Sequence, residues 1–222
     1  MVELKHRMAR KKLIRAAAIK TLPNVFEWPR EMKGHWNARC FRNDNPIIME
    51  LACGEGFYTN ALAAKYPQKN LIGVDFNAER IWRGARAALE QNLSNVVYVK
   101  ILIEFIYEFF APQEVSEIWL TFPDPYPKRR HAKHRLTSPH FLQSYKKIMK
   151  PGGIIHLKTD DPGLYEYTLR SLEKEKYGIE VTTDDLYARD INDDLLLIKT
   201  KFERKFLNMG KAIKYIRFRN QG

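Results

Sequence analysis

Cysteine is almost missing from this 222-residue chain, which has only Cys40 and Cys53. With no CxxC pair and no HExxH among its six histidines, the sequence signals neither a disulfide framework nor a zinc site, and no metal is expected. Long apolar runs are absent too. Charges interrupt every hydrophobic stretch before the ~18 residues that a membrane span needs, so a soluble protein of the reducing cytoplasm, with no membrane partner, is expected. The Arg/Lys-rich start, Met1 to Lys20, lacks the continuous apolar segment of a secretory signal. Core material is plentiful: 45% hydrophobic and 12% aromatic residues exclude a disordered or collagenous chain. At this length roughly 70% of the unfolded surface can be buried, enough for one self-sufficient domain with a short appendage.

Acid is scarce in three places. The net charge is +12, but residues 1–20 carry +6, residues 128–135 carry +5 and residues 199–219 carry +7, which leaves −6 for everything else. An acidic body bearing three basic segments points to a polyanionic partner, and three clusters together favour nucleic acid. Anionic membrane is the competing surface. The 128–135 run has no large apolar residue between its charges and suits phosphates better.

Residues 1–46 divide into a basic arm and a Pro- and Asn-punctuated lead-in that reads as irregular structure (Pro23, Pro29, Asn43, Asn45, Pro46). From Ile47 the texture changes. Short runs rich in Ile, Val and Leu (Ile47 to Leu51, Leu71 to Asp75, Val96 to Ile101, Ile118 to Phe122, Ile154 to Lys158) alternate with helical patterns (Phe57 to Tyr66, Ala78 to Asn92, Pro139 to Met149, Leu164 to Lys174). This is the βαβ signature of an α/β domain over 47–222, a mostly parallel sheet with helices on both faces. Ile179 to Tyr187 and Lys199 to Phe218 read as two further strands around the acidic connection Asp190 to Asp194.

Ligands of such sheets bind beyond the carboxyl ends of the strands, where strand order reverses. The first of these strands runs into Glu50-Leu51-Ala52-Cys53-Gly54-Glu55-Gly56 and then a helix. Glycines at a strand-to-helix turn let the backbone approach a ligand, and the helix start offers free N–H groups. The dinucleotide fingerprint wants a third glycine where this chain has Thr59. Asp75 closes the next strand, where a carboxylate can accept ribose hydroxyls, a contact shared by nicotinamide dinucleotides and S-adenosylmethionine.

After the fourth strand comes Phe122-Pro123-Asp124-Pro125-Tyr126-Pro127-Lys128-Arg129-Arg130-His131. Alternating prolines forbid helix and push their neighbours to extended geometry, so the segment is a stiff ledge holding Asp124 with cations directly behind it. From Asp124 to His131, and on through Lys133, His134, Arg135 and Leu136, this run resembles the hallmark Asp-Pro-Trp-Pro-Lys-Lys-Arg-His and Lys-Arg-Arg-Leu of the tRNA (guanine-N7)-methyltransferases, the TrmB family. Tyr126, Arg129 and His134 depart from that pattern but keep much of its character. Lys33 to Asn37 and Asn43 to Pro46 resemble the family's lead-in, Thr159-Asp160-Asp161 its Thr-Asp-Asn, and Thr200 to Phe206 its C-terminal Thr-x-Tyr/Phe-Glu-x-Lys-Phe, so the likeness spans nearly the whole chain.

The resemblance implies a Rossmann-like class I fold with a seven-stranded sheet, acting as a monomer or homodimer. It implies methyl transfer from S-adenosyl-L-methionine to N7 of a variable-loop guanine of tRNA, conventionally nucleotide 46. Carried over by position, Glu50, Gly54, Gly56, Asp75, Leu102 and Asp124 belong to the cofactor site, with Asp124 at the transfer centre. Lys128, Arg130, His131, Lys133, Arg135, Asp160, Thr200 and Glu203 belong to the substrate. Leu102 stands where the family usually has an acid for the adenine. Either Glu104 compensates, facing the same way if the strand continues, or backbone and apolar contacts hold the ring. Asp160 has a second reading, as N-cap before Pro162. Two rivals are a methyltransferase acting on an exocyclic amine, through an Asn/Asp-Pro-Pro-Tyr-like turn, and an RNA-binding module that has lost activity. A nicotinamide oxidoreductase is disfavoured by the missing third glycine.

Overall fold

The computed structural model describes residues 15, 17–188 and 196–220. The basic arm expected at residues 1–20 lies mostly outside the described residues, as does the acidic connection Asp190 to Asp194. Eight strands form one sheet: β1 (Val25–Glu27), β2 (Ile47–Leu51), β3 (Asn70–Asp75), β4 (Val96–Lys100), β5 (Val115–Thr121), β6 (Met149–Thr159), β7 (Gly178–Thr183) and β8 (Lys214–Arg219). Their order is β1-β4-β3-β2-β5-β6-β8-β7, parallel through β6, with β8 antiparallel to both β6 and β7. Between them run α1 (Phe57–Lys65), α2 (Ala78–Glu90), α3 (Pro139–Lys146), α4 (Pro162–Lys174) and α5 (Lys201–Asn208). No helix among the described residues is long and apolar enough to cross a membrane.

The sheet forms because its central strands are apolar on both sides. Every residue of β2 and β3 is buried, as helix-covered parallel strands require. Period-two alternation then divides them. Ile47, Met49 and Leu51 enter the layer with Phe141 and Tyr145 of α3 and Leu164 and Leu172 of α4. Ile48 enters the opposite layer with Tyr58 and Leu62 of α1 and Ile81, Ala85 and Ala88 of α2. Asn77 caps α2 by accepting from Glu79 and Arg80 N–H at 3.0 and 3.2 Å. Strand order reverses between β2 and β5, so the crevice above their carboxyl ends is the topological switch point.

The α/β fold is as expected, with an eighth strand added to the seven. That strand corrects the reading of the lead-in. Val25–Glu27 pairs with β4, and Trp36, wholly buried, stacks on Phe110 at 5.2 Å and donates its indole N–H to the Phe109 carbonyl at 3.0 Å. A three-residue edge strand is too short to show periodicity. The second correction is in the C-terminal segment, where residues 201–208 are helical and only Lys214–Arg219 is strand.

Candidate active site

At the end of β2 the chain turns sharply through Ala52 to Gly56, with φ of +57° at Gly54 and +66° at Gly56. The two glycines are needed for different reasons. A Cβ on Gly56 would stand 2.0 Å from the Tyr98 hydroxyl, whereas a Cβ on Gly54 would meet nothing within 4 Å. Gly54 therefore borders open space at the switch point and Gly56 makes room for the core. Asp75, 7% exposed, accepts the Gly54 N–H at 2.9 Å and the Asn77 N–H at 2.8 Å, one on each oxygen. Each oxygen keeps a lone pair for a further donor.

Glu50 lies beneath this turn. It is 2% exposed and accepts the Thr59 N–H at 2.9 Å together with the hydroxyls of Thr59 and Thr121. Burial pushes its carboxyl up to about 7, against the pull of these hydrogen bonds, with a smaller upward push from the Asp75 charge. Both oxygens are engaged within the protein, so Glu50 braces β2, α1 and β5 from below rather than lining the opening.

Beyond β4 the chain does not continue extended. Leu102 precedes a 3-10 helix, Ile103–Glu108, and accepts the Phe105 N–H at 3.1 Å. The strand alternation that would have turned Glu104 toward an adenine is thus absent. Rings missed in the sequence reading stand at these neighbouring strand ends: Phe76, directly after Asp75, is 54% exposed and Phe105 is 42% exposed. Trp28 meets Phe76 edge-on at 6.5 Å. An aromatic placed straight after a strand-ending acid was a signal available in the sequence.

The ledge follows β5. Phe122 and Tyr126 adopt φ of +50° and +43°, conformations that bulky L-residues reach only under tertiary constraint. Two constraints are visible. The Phe122 N–H donates to the Lys158 carbonyl at 2.8 Å. The Arg135 guanidinium donates from Nε to the Pro125 carbonyl at 2.9 Å and from Nη2 to the Tyr126 carbonyl at 3.0 Å, and it lies over the Tyr167 ring at 4.3 Å. Arg135 is only 8% exposed. Expected as a substrate cation, it is instead committed to the back of the ledge. Asp124 is exposed at the front and makes no hydrogen bond or ion pair among the described residues. Burial first, then the charges of Asp124 and Glu104, holds the Tyr126 hydroxyl above its ordinary range. Behind it Arg129–His134 forms a 3-10 helix. Lys128, Arg129, Arg130 and Lys133 are exposed there, with no ion pair among the described residues. His131 is half-buried, its ring 6.3 Å from that of His134.

Asp160 follows β6, the neighbour of β5. The N-cap of α4 is its successor Asp161, which accepts the Leu164 N–H at 2.6 Å. Asp160 is released from that role and faces Lys211 at 2.5 Å. Thr200 and Glu203 form a capping box at the start of α5, the Thr200 hydroxyl accepting the Glu203 N–H at 3.0 Å. The Glu203 carboxylate is wholly buried against Lys158, also wholly buried, at 2.7 and 2.9 Å, and accepts the Tyr187 hydroxyl at 2.7 Å. Burial pulls the Lys158 ammonium down and Glu203 holds it up. Glu203, expected at the substrate, has no surface with which to touch one. Asp124 and Asp160 are thereby brought to adjacent strand ends, while Glu50, Arg135 and Glu203 stand behind the surface they were expected to form.

Comparison with known proteins bears on the family and the fold. The protein family described as "Putative methyltransferase" matches residues 44–216. A tRNA (guanine-N(7)-)-methyltransferase of Bacteroides thetaiotaomicron is 45% identical over 220 residues, covering 96% of this chain and 86% of its own. One of Christiangramia forsetii is 47% identical over 197 residues, covering 88% and 86%. Among solved structures, a 16S rRNA (adenine(1408)-N(1))-methyltransferase of Catenulisporales acidiphilia with cosubstrate SAM superimposes with a TM-score of 0.60 at 16% identity, covering 83% of this chain and 90% of that one. At that identity the superposition speaks for the class I fold, while the identities and coverage of the sequence relatives go further: this chain belongs to the tRNA (guanine-N7)-methyltransferase family.

Proposed function

We propose that the protein methylates N7 of guanine 46 in the variable loop of tRNA. The observation that carries this reading is Asp124, an exposed carboxylate with no partner among the described residues, on a clamped ledge at the switch point, beside cations that nothing in the described structure neutralises. The open side of Gly54 and the spare lone pairs of Asp75 fit S-adenosyl-L-methionine, whose ribose hydroxyls suit Asp75. Leu102 and the exposed Phe76 ring suit its adenine through apolar contact, in place of the family's usual acid. When bound it supplies a sulfonium methyl that the guanine N7 lone pair can take directly, with no proton to remove.

The chain's own residues therefore position and polarise. One carboxylate can accept the N1–H and exocyclic N2–H of guanine together, fixing the ring with N7 turned away from the contact. Asp124 and Asp160 are the candidate carboxylates, Asp160 with one oxygen already paired to Lys211. Their negative charge also favours the positive charge that grows on the purine, an effect that operates in the transition state. A near-attack geometry is worth roughly 7 to 11 kcal/mol at its favourable limit. Lys128, Arg129, Arg130 and Lys133 face outward and suit RNA phosphates, with His131 beside them.

The test is Asp124→Ala, assayed with unmodified tRNA and labelled S-adenosylmethionine followed by nucleoside analysis. The expected outcome is a single-turnover rate lowered on the order of 100-fold or more, with tRNA affinity within a few-fold of the unaltered protein. Lost binding with an intact bound-state rate would assign Asp124 to anchoring. A product other than N7-methylguanine would favour the exocyclic-amine reading.

A further inference from the structure

The backbone and the side chain of Lys158 reach in different directions from the end of β6. Its carbonyl accepts the N–H of Phe122, the strained first residue of the ledge, at 2.8 Å. Its ammonium donates to the Leu196 carbonyl at 3.2 Å, the Ile198 carbonyl at 3.3 Å and the Glu203 carboxylate at 2.9 Å. An ammonium has three hydrogens, and these acceptors use all of them. The segment 196–203 is thus cross-linked at three points to the strand on which the ledge also hangs. Three contacts close the loop from the other side. The Phe122 ring packs on Phe206 of α5 at 5.7 Å, and Lys211, lying 4.7 Å over that same Phe206 ring, pairs with Asp160.

Stability alone is a weak reason for such a pair. Taking two charges out of water costs several kcal/mol each, and well-packed apolar residues of the same volume are often as stable or more so. What an apolar replacement could not do is hold two backbone carbonyls and a carboxylate in one geometry. We propose that Lys158 is a positioning residue: joined to Glu203, it fixes the 196–203 segment and the root of the ledge to one strand end, and so sets the placement of Asp124 relative to Asp160. The coupling rests on geometry alone, and its catalytic consequence rests on the methyltransferase reading above.

The test uses the full chain carrying Lys158→Met, together with the pair Lys158→Met/Glu203→Gln, which leaves no orphan buried charge if the single variant fails to fold. Hydrogen–deuterium exchange without ligand should show the Phe122 amide and the amides of 200–208 exchanging at least about 10-fold faster, while those of 52–56 are unchanged. S-adenosylmethionine affinity should stay within about two-fold and tRNA affinity within about three-fold, while the single-turnover rate falls on the order of 100-fold, as a small misplacement of reacting groups can cause. A folded variant with unaltered exchange at Phe122, or with an unaltered rate, overturns the proposal. So does loss of cofactor affinity, which would make the pair a general support. If the unaltered protein forms no N7-methylguanine, the functional reading fails instead, and the exchange result still decides the coupling.

Discussion

Single residues at this site divide by whether their polar atoms are already engaged. Asp124 is exposed at the rim with no partner among the described residues, whereas Glu50 is sealed beneath it among Thr59 and Thr121. That burial has a measurable consequence. Glu50 titrates near 7 in the fold against an ordinary 4.5, so the folded state holds this proton more tightly than the unfolded state. Its contribution to stability is complete below about pH 4.5 and is lost as pH rises through 7, the reverse of a salt-bridged carboxylate. The difference corresponds to at most about 3 kcal/mol. Glu50→Gln cannot ionise and should lack this dependence. Denaturation of the ligand-free proteins between pH 5 and 8 should show the unaltered chain losing stability relative to the variant by ~2 to 3 kcal/mol. A gap between the two that stays constant with pH would mean that Glu50 ionises normally in place.

Elements show how far local sequence reaches. The five central strands were legible because each contains a short run rich in Ile, Val and Leu between helical patterns, and the ledge because proline alternation has few solutions. Thr200-Lys201-Phe202-Glu203 carried a capping-box spacing that announces a helix, yet the basic residues and apolar alternation around it read as strand. Nothing local could reveal Lys158 and Glu203 as a buried pair, since they are 45 positions apart and meet only through the sheet. Arg135 is a similar case. The run before it holds the outward-facing cations Lys128, Arg129, Arg130 and Lys133, whereas the carbonyls of Pro125 and Tyr126 and the Tyr167 ring turn Arg135 inward. Strained backbone such as that at Phe122 and Tyr126 costs of order 1 to 3 kcal/mol per residue and persists only where the surroundings fix it. Arg135→Lys keeps the charge but loses the two-pronged contact. The variant should lower single-turnover methylation about 10-fold or more and leave the salt dependence of tRNA binding unaltered. A shallower salt dependence would return Arg135 to the phosphate-binding set.

For the whole molecule the question is how one guanine is selected from a large polyanion by so small a rim. The sheet answers by chain order: β2 and β3 bring the glycine turn and Asp75, β5 and β6 bring Asp124 and Asp160, and residues 128–135 add cations with no glutamate or aspartate among them. On the proposed reading affinity and chemistry fall to different residues, and they should separate experimentally. Lys128, Arg129, Arg130 and Lys133 are exposed and without ion pairs among the described residues, so each phosphate they hold releases condensed counterions. Replacing all four with methionine or glutamine should make the plot of log affinity against log salt shallower by ~0.7 to 0.9 for every phosphate that is no longer held, up to about 3.6 in all. With tRNA saturating at low salt, the rate of methyl transfer in the bound complex should remain within a few-fold, because the carboxylates that orient the base are untouched. A salt slope identical to that of the unaltered chain would move the RNA track off this helix and onto the other basic segments, at residues 1–20 or 199–219.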